Sequence, residues 1–109
     1  MRSDLMRGHL DSLLLAALAG APGHGYEISQ RLTSASAGEI SPTEGSIYPA
    51  LHRLERGRLV TSAWSVGDGR HRRVYSLTDA GRRAVDESRR EWATFSSAVD
   101  RIMEMAACA

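Results

Sequence analysis

Four positions spaced by seven, Val85, Trp92, Val99 and Ala106, constrain this chain more than any other feature. A second row at Ser88, Phe95, Ile102 and Ala109 is offset from them by three. Together they form the a and d positions of a heptad seam over about four heptads, imperfect at Ser88 and at the alanines. Thr78 can cap the start of the helix that carries the seam, and Asp79 suits its first turn. A helix of about 28 residues would run on the order of 42 Å. A chain of 109 residues makes one small domain, which cannot bury a stripe of that length. The seam therefore packs on a second copy of the chain, against the same helix or the first one. The alternative is an intramolecular hairpin with the first helix.

The rest of the chain is organised around residues 41–59, SPTEGSIYPALHRLERGRL. Ser41 can cap a helix, Pro42 suits its first position, and Glu44 completes a capping box. Ile47, Leu51 and Leu54 form one apolar stripe. The opposite face carries Thr43, Ser46, Tyr48, His52, Arg53 and Arg56, all able to hydrogen-bond or to pair with phosphate. Gly57 can adopt the left-handed conformation that ends a helix. A short amphipathic helix with hydroxyls at its front and arginines behind is suited to enter a DNA groove, although most such helices only pack and face water.

Two helices precede it. Residues 4–19 read as the first, capped by Ser3 or Asp4 and stopped by Gly20 and Pro22, with Leu10, Leu13, Leu14 and Leu18 on its apolar face. Leu15, Ala16 and Ala17 widen that face, so burial against both its own domain and a partner is expected. Residues 26–37 read as the second, with Ile28, Leu32 and Ala35 inward and Gly38 at its end. Two short helices with a tight turn, the second capped and amphipathic, make a helix-turn-helix pattern.

After Gly57 the period changes. Residues 59–66 and 72–77 read as strands around the turn signal Asp68-Gly69, with Val60, Trp64 and Val66 on one parity. The tip and return strand carry Arg70, His71, Arg72 and Arg73. A basic hairpin directly after a recognition helix reads as a wing; the alternative is a solvated turn.

Charge follows the same division. Residues 1–40 hold three Arg against four acids, residues 41–83 eight against four, and residues 84–109 three against five. The positive charge thus concentrates in the middle, as for a local anion-binding surface. Every basic residue apart from histidine is arginine, which suits bidentate contact with phosphate and guanine, though a codon bias explains it equally well.

Catalytic patterns are absent. The histidines at 9, 24, 52 and 71 lack metal-ligand spacing, no nucleophile motif occurs, and Gly67-Asp68-Gly69 lacks the setting of a phosphate loop. The expectation is a non-enzyme without cofactor or metal. The single Cys108 has no internal partner, the apolar run at residues 13–18 is too short to span a bilayer, and no signal peptide is recognised. A cytoplasmic protein with no membrane partner is expected.

The motifs HGYEI at residues 24–28, GSIYPALHRLE at 45–55, GRLV at 57–60 and YSLTDAG at 75–81 resemble the PadR family of bacterial transcriptional regulators, and the match runs over residues 10–83. The single C-terminal helix resembles the family's short members. The resemblance implies a mainly α (α+β) fold: a winged helix-turn-helix DNA-binding domain over 1–79, and a C-terminal dimerisation helix over 80–109. It also implies a homodimer on an inverted-repeat operator, usually as a repressor. On the matching positions, Tyr48 would be the characteristic tyrosine of the recognition helix and Tyr26 would open the second helix near the DNA backbone.

The expected DNA-binding set is Tyr26, Ser41, Thr43, Ser46, Tyr48, His52, Arg53, Arg70, His71, Arg72 and Arg73. The expected dimer interface is Leu10, Leu14, Val85, Trp92, Phe95, Val99 and Ile102. Some short members resemble sensors that hold a flat aromatic effector between tryptophans at the dimer interface. Trp92, with Phe95, either serves that purpose or is simply a core residue of the seam. The competing function is a winged helix used only for protein–protein contact; RNA binding finds few stacking platforms at 6% aromatic content.

Overall fold

The computed structural model describes residues 9–67 and 70–108. Their order is α1 (Leu10–Leu18), α2 (Gly25–Ala35), α3 (Glu44–Arg56), β1 (Val60–Gly67), β2 (Arg70–Leu77) and α4 (Asp79–Cys108). The expected cap at Ser3 or Asp4, the turn Asp68-Gly69 and the last seam position Ala109 lie outside the described residues.

Leu14, Ile28, Ile47, Ala50 and Leu51 are all fully buried, which brings the inward faces of the first three helices into one core. Val60, Tyr75 and Leu77 close it from the hairpin and Val85 from α4. The stripe expected on α3 is the one buried, with Ala50 added. On α2 the expected Ala35 is exposed, because the helix ends there.

Helix ends depart from the sequence expectation in three places. First, α3 starts at Glu44 and its cap is Thr43, in extended conformation, not Ser41. Ser41 is used elsewhere: its hydroxyl accepts from Thr33 Oγ1 at 3.2 Å, while the Pro42 carbonyl accepts from Ser29 Oγ at 3.3 Å. The turn residues are thus bound to α2 before α3 can begin. Second, the reciprocal capping box is on α2. His24 Nδ1 accepts from the Glu27 amide at 3.3 Å, and Glu27 Oε1 accepts from the His24 amide at 3.1 Å. Third, Gly57 keeps a negative φ, and the left-handed residue after α3 is Arg58 at φ 62°. Its conformation lets the Leu59 amide reach back to the Leu54 carbonyl at 3.0 Å, which satisfies a terminal acceptor.

The end of α1 is held from a distance. Arg31 donates from Nη1 to the carbonyls of Ala17 and Ala21, and from Nη2 to that of Pro22. One guanidinium serves carbonyls that the last helical turn cannot pair itself. This fixes the turn that carries Gly23, whose amide and carbonyl both pair with Tyr75, at 3.1 and 2.9 Å. Gly23 is therefore a one-residue third strand beside the hairpin, which no periodicity announces.

The hairpin is antiparallel, in register from Val60↔Leu77 to Gly67↔Arg70. Of the expected parity set only Val60 is buried; Trp64 and Val66 lie out on the projecting part of the wing, beyond the core. Thr78 caps α4 as expected, its Oγ1 accepting from the Gly81 amide at 3.0 Å. At 30 residues α4 is about 45 Å long. Its first turns pack on α1 in the same chain, where Ser12 Oγ and Ser88 Oγ are 3.3 Å apart. The seam thus begins as the intramolecular pairing that was the weaker alternative. Further along, Phe95 and Ile102 are 59% and 61% exposed, with Met103 and Met105 also exposed.

The expected interface residues divide in the same way. Leu10, Leu14 and Val85 belong to the chain's own core, because α1 already spends its apolar face on α2, α3 and α4. Trp92, Phe95 and Ile102 are exposed, and Val99 is half-buried.

Candidate nucleic-acid interface

Helical geometry divides the outer surface of α3 into two stripes. Glu44, Tyr48, His52 and Glu55 line an open cleft of about 750 Å³, whose other wall is the hairpin with Trp64, His71, Arg72 and Arg73. His24 and Tyr26, at the front of α2, complete it. Tyr48 and His52, assigned by sequence to the recognition helix, therefore share one concave surface with His71, Arg72 and Arg73 of the wing. Arg53 is not part of it. A rotation of one residue turns it toward α1, where Nη2 pairs with Asp11 Oδ1 at 3.0 Å.

The remaining expected residues sit around this surface. Thr43 and Ser46, both exposed, have their hydroxyls 3.0 Å apart at the front of α3. The Tyr26 hydroxyl accepts from Gln30 Nε2 at 2.8 Å on an exposed face. Tyr48 is 39% exposed, with its ring against the backbone of Gly25. Ser41 is exposed but tied to Thr33. Arg70 starts β2 opposite Gly67, at the outer end of the wing.

Two wing arginines already have partners inside the chain. Arg72 Nη1 is 3.0 Å from His24 Nε2, and that nitrogen is 3.2 Å from Glu27 Oε1. Arg73 Nε donates to Ser62 Oγ at 2.8 Å, and Ser62 Oγ donates to Glu55 Oε2 at 2.6 Å. Beneath them Tyr75 is buried. Burial first, then the Glu55 carboxylate, pushes its phenol above the ordinary 10.0, while the charge of Arg73 and its hydrogen bond pull the other way.

His24 and Glu55 in this cleft, and Glu27 and Asp11 that pair with His24 and Arg53 beside it, are absent from the set expected from sequence. One signal was available: His24 and Glu27 have the spacing of a capping box, with an imidazole nitrogen in place of a hydroxyl oxygen. Asp11 and Glu55 offered none, since their partners are brought to them only by the packing of α1 and of the hairpin.

A second, more apolar cleft of about 530 Å³ lies between α1 and α4, lined by His9, Ser12, Leu13, Ala16, Ile40, Val85, Ser88, Trp92 and Phe95 among others. His9 meets Trp92 edge-on at 5.7 Å between ring centroids, and Phe95 is 5.9 Å from Trp92. Among the described residues no group of three His, Cys, Asp or Glu side chains converges as a metal site, and no helix is long and apolar enough to cross a membrane.

Residues 14–87, which hold α2, α3, the hairpin and the base of α4, match the model of the transcriptional regulator PadR-like family. The chain belongs to that family. Its fold agrees. A transcriptional regulator from Clostridium thermocellum superposes with a TM-score of 0.81 at 26% identity, covering 93% of this chain and 96% of the other. A PadR family regulator from Eggerthella lenta gives 0.77 at 31% identity over 93% and 87%. A transcriptional regulator of Mycobacterium tuberculosis is 49% identical over 67 residues, which is 62% of this chain and 60% of that protein. A Lysinibacillus sphaericus protein of uncharacterized function is 33% identical over 105 residues, 95% of this chain and 96% of its own. As a PadR-like protein the chain is a transcriptional regulator with a winged helix and a long C-terminal helix, not an enzyme.

Proposed function

We propose that this PadR-like protein is a homodimeric repressor that binds an inverted-repeat operator. One observation carries the reading: Tyr48 and His52 of α3 share one exposed cleft with the basic wing, while Phe95, Ile102, Met103 and Met105 of α4 stand exposed among the described residues. Residues 1–79 would be the DNA-binding domain and residues 80–109 the dimerisation helix, with the first turns of that helix also part of the core. Trp92, Phe95, Val99 and Ile102 would form the contact between copies.

In such a dimer the two α3 helices enter successive major grooves about 34 Å apart. Thr43, Ser46 and Tyr48 meet base edges and phosphates at the front of the helix, where exposed amides also favour an anion. Tyr26 and His52 flank them, and Arg70, His71 and Arg72 reach phosphates from the wing. Ser41, Arg53 and Arg72 contribute only after leaving Thr33, Asp11 and His24.

The test is titration of the duplex upstream of the neighbouring gene, by fluorescence anisotropy at several salt concentrations. Three or four phosphates neutralised per subunit give a log–log slope of about −5 to −7. A flat salt dependence, or a monomer by light scattering, would instead favour a module for protein–protein contact.

The cleft at Trp92 supports a second element of the reading, release by a flat aromatic effector. Such a ligand acts by binding one separation of the two heads more tightly than the other. Planar hydrophobic compounds should quench Trp92, and a Trp92→Phe variant controls for Trp64.

A further inference from the structure

Arg73 carries a charge that a wing would ordinarily offer to the duplex, yet its guanidinium is engaged on several sides. Nε donates to Ser62 Oγ on β1 at 2.8 Å. Ser62 in turn donates to Glu55 Oε2 in the last turn of α3, and Arg73 Nη2 stands 3.8 Å from the same oxygen. The guanidinium also lies over the Trp64 ring, 5.3 Å from its centroid. Neither member of the Arg73–Glu55 pair is more than 38% exposed. Beyond Ser62, β1 is exposed all the way to Gly67. Among the described residues, the polar links from this outer hairpin to the helices run through Arg72–His24 and through the chain Arg73–Ser62–Glu55.

Resting on the DNA-binding reading above, we infer that Arg73 is a positioning residue and not a phosphate ligand. It ties the wing to the end of the recognition helix and so sets the angle between Tyr48 and the arginines of the wing. The role needs a planar donor. Lysine retains the charge but cannot donate from Nε while stacking on an indole.

The test compares Arg73→Ala, Arg73→Lys, Glu55→Gln and the Arg73→Ala/Glu55→Gln pair with the parent in the same salt series. All should keep the parent's circular dichroism. Arg73→Ala and Glu55→Gln should each weaken operator binding about five- to tenfold, with the double variant no weaker than Arg73→Ala alone. Arg73→Lys should not rescue, and the salt slope should stay at the parent value. If instead Arg73 contacts phosphate, Glu55→Gln strengthens binding by removing a competing carboxylate. Arg73→Lys then restores affinity, and Arg73→Ala lowers the slope by about one. That set of results overturns the inference. A parent that ignores every duplex defeats the DNA-binding reading, and a measurement without DNA still decides the strut. In a Trp92→Phe background, Trp64 emission should shift red on Arg73→Ala and on Glu55→Gln; unchanged emission overturns it.

Discussion

The ring of Tyr48 rests against the α-carbon of Gly25, so closely that a β-carbon there would stand 2.8 Å from its hydroxyl oxygen. Gly25 is the first residue of α2 and Tyr48 the fifth of α3, so the contact sets how closely the two helices of the helix-turn-helix approach. Gly25→Ala should push Tyr48 outward at a stability cost of about 1–3 kcal/mol for overpacking. Because Tyr48 is only partly covered, the larger effect should be on DNA affinity, read by anisotropy beside a thermal melt. Unchanged affinity would show that the orientation of Tyr48 is immaterial to binding.

Asp11 holds Arg53 away from the cleft. In Asp11→Asn the arginine is freed and a carboxylate removed, so duplex binding should tighten and the salt slope should steepen by up to about one phosphate per subunit. An exposed pair of this kind contributes about 1 kcal/mol or less to stability, so the melting temperature should barely move. Identical salt series for parent and variant would rule Arg53 out of reach of the duplex.

Tyr75 makes stability depend on alkaline pH. Its folded-state pKa is raised, chiefly by burial, above the ordinary value of 10.0. As pH climbs past that value the unfolded chain releases a proton that the folded one retains, so unfolding is favoured progressively. Urea unfolding from about pH 8 to about pH 11 should show this loss, and Tyr75→Phe should remove its share of the slope. An equal decline in both proteins would place the titration elsewhere.

Gly81 has no room for a side chain, since a β-carbon would collide with the carbonyl of Leu59. That carbonyl also accepts from the Thr78 amide at 3.1 Å, so it cannot withdraw without breaking the cap of α4. Gly81→Ala should cost about 3 kcal/mol or more, although alanine is the better helix former. A melt within two degrees or so of the parent would mean that the junction yields easily.

Ile102 lies on the exposed part of the seam, about two heptads beyond the turn that packs on α1. Ile102→Glu should convert a dimer to monomers in light scattering while leaving the fold intact, at a cost of about 2 kcal/mol or more in association. A dimer that survives the change would locate the contact on another face.

Much of this architecture was legible without coordinates, for local reasons. The stripe Ile47, Leu51 and Leu54 follows the helical period, the period change after Gly57 announces strands, and the Thr78 hydroxyl reaches an amide three residues away. Errors arose where an equally local rule competed with packing. Ser41 satisfies every requirement of a cap, but Thr33 claims its hydroxyl; Gly57 could turn left-handed, but Arg58 does so. For Leu10, Leu14 and Val85 periodicity defines an apolar stripe without saying which body covers it; within the chain the core does.

The sequence by itself determined the order and type of the elements, the family, and the concentration of arginine in the middle of the chain, because these depend on neighbours within a turn or two and on composition. Only the tertiary structure decided which arginines are already engaged. Arg53 finds Asp11 from 42 residues away and Arg72 finds His24 from 48, separations at which no pattern along the chain carries information. A charge is assigned to a duplex or to a carboxylate by distance in space, and that distance is set only when the core has closed.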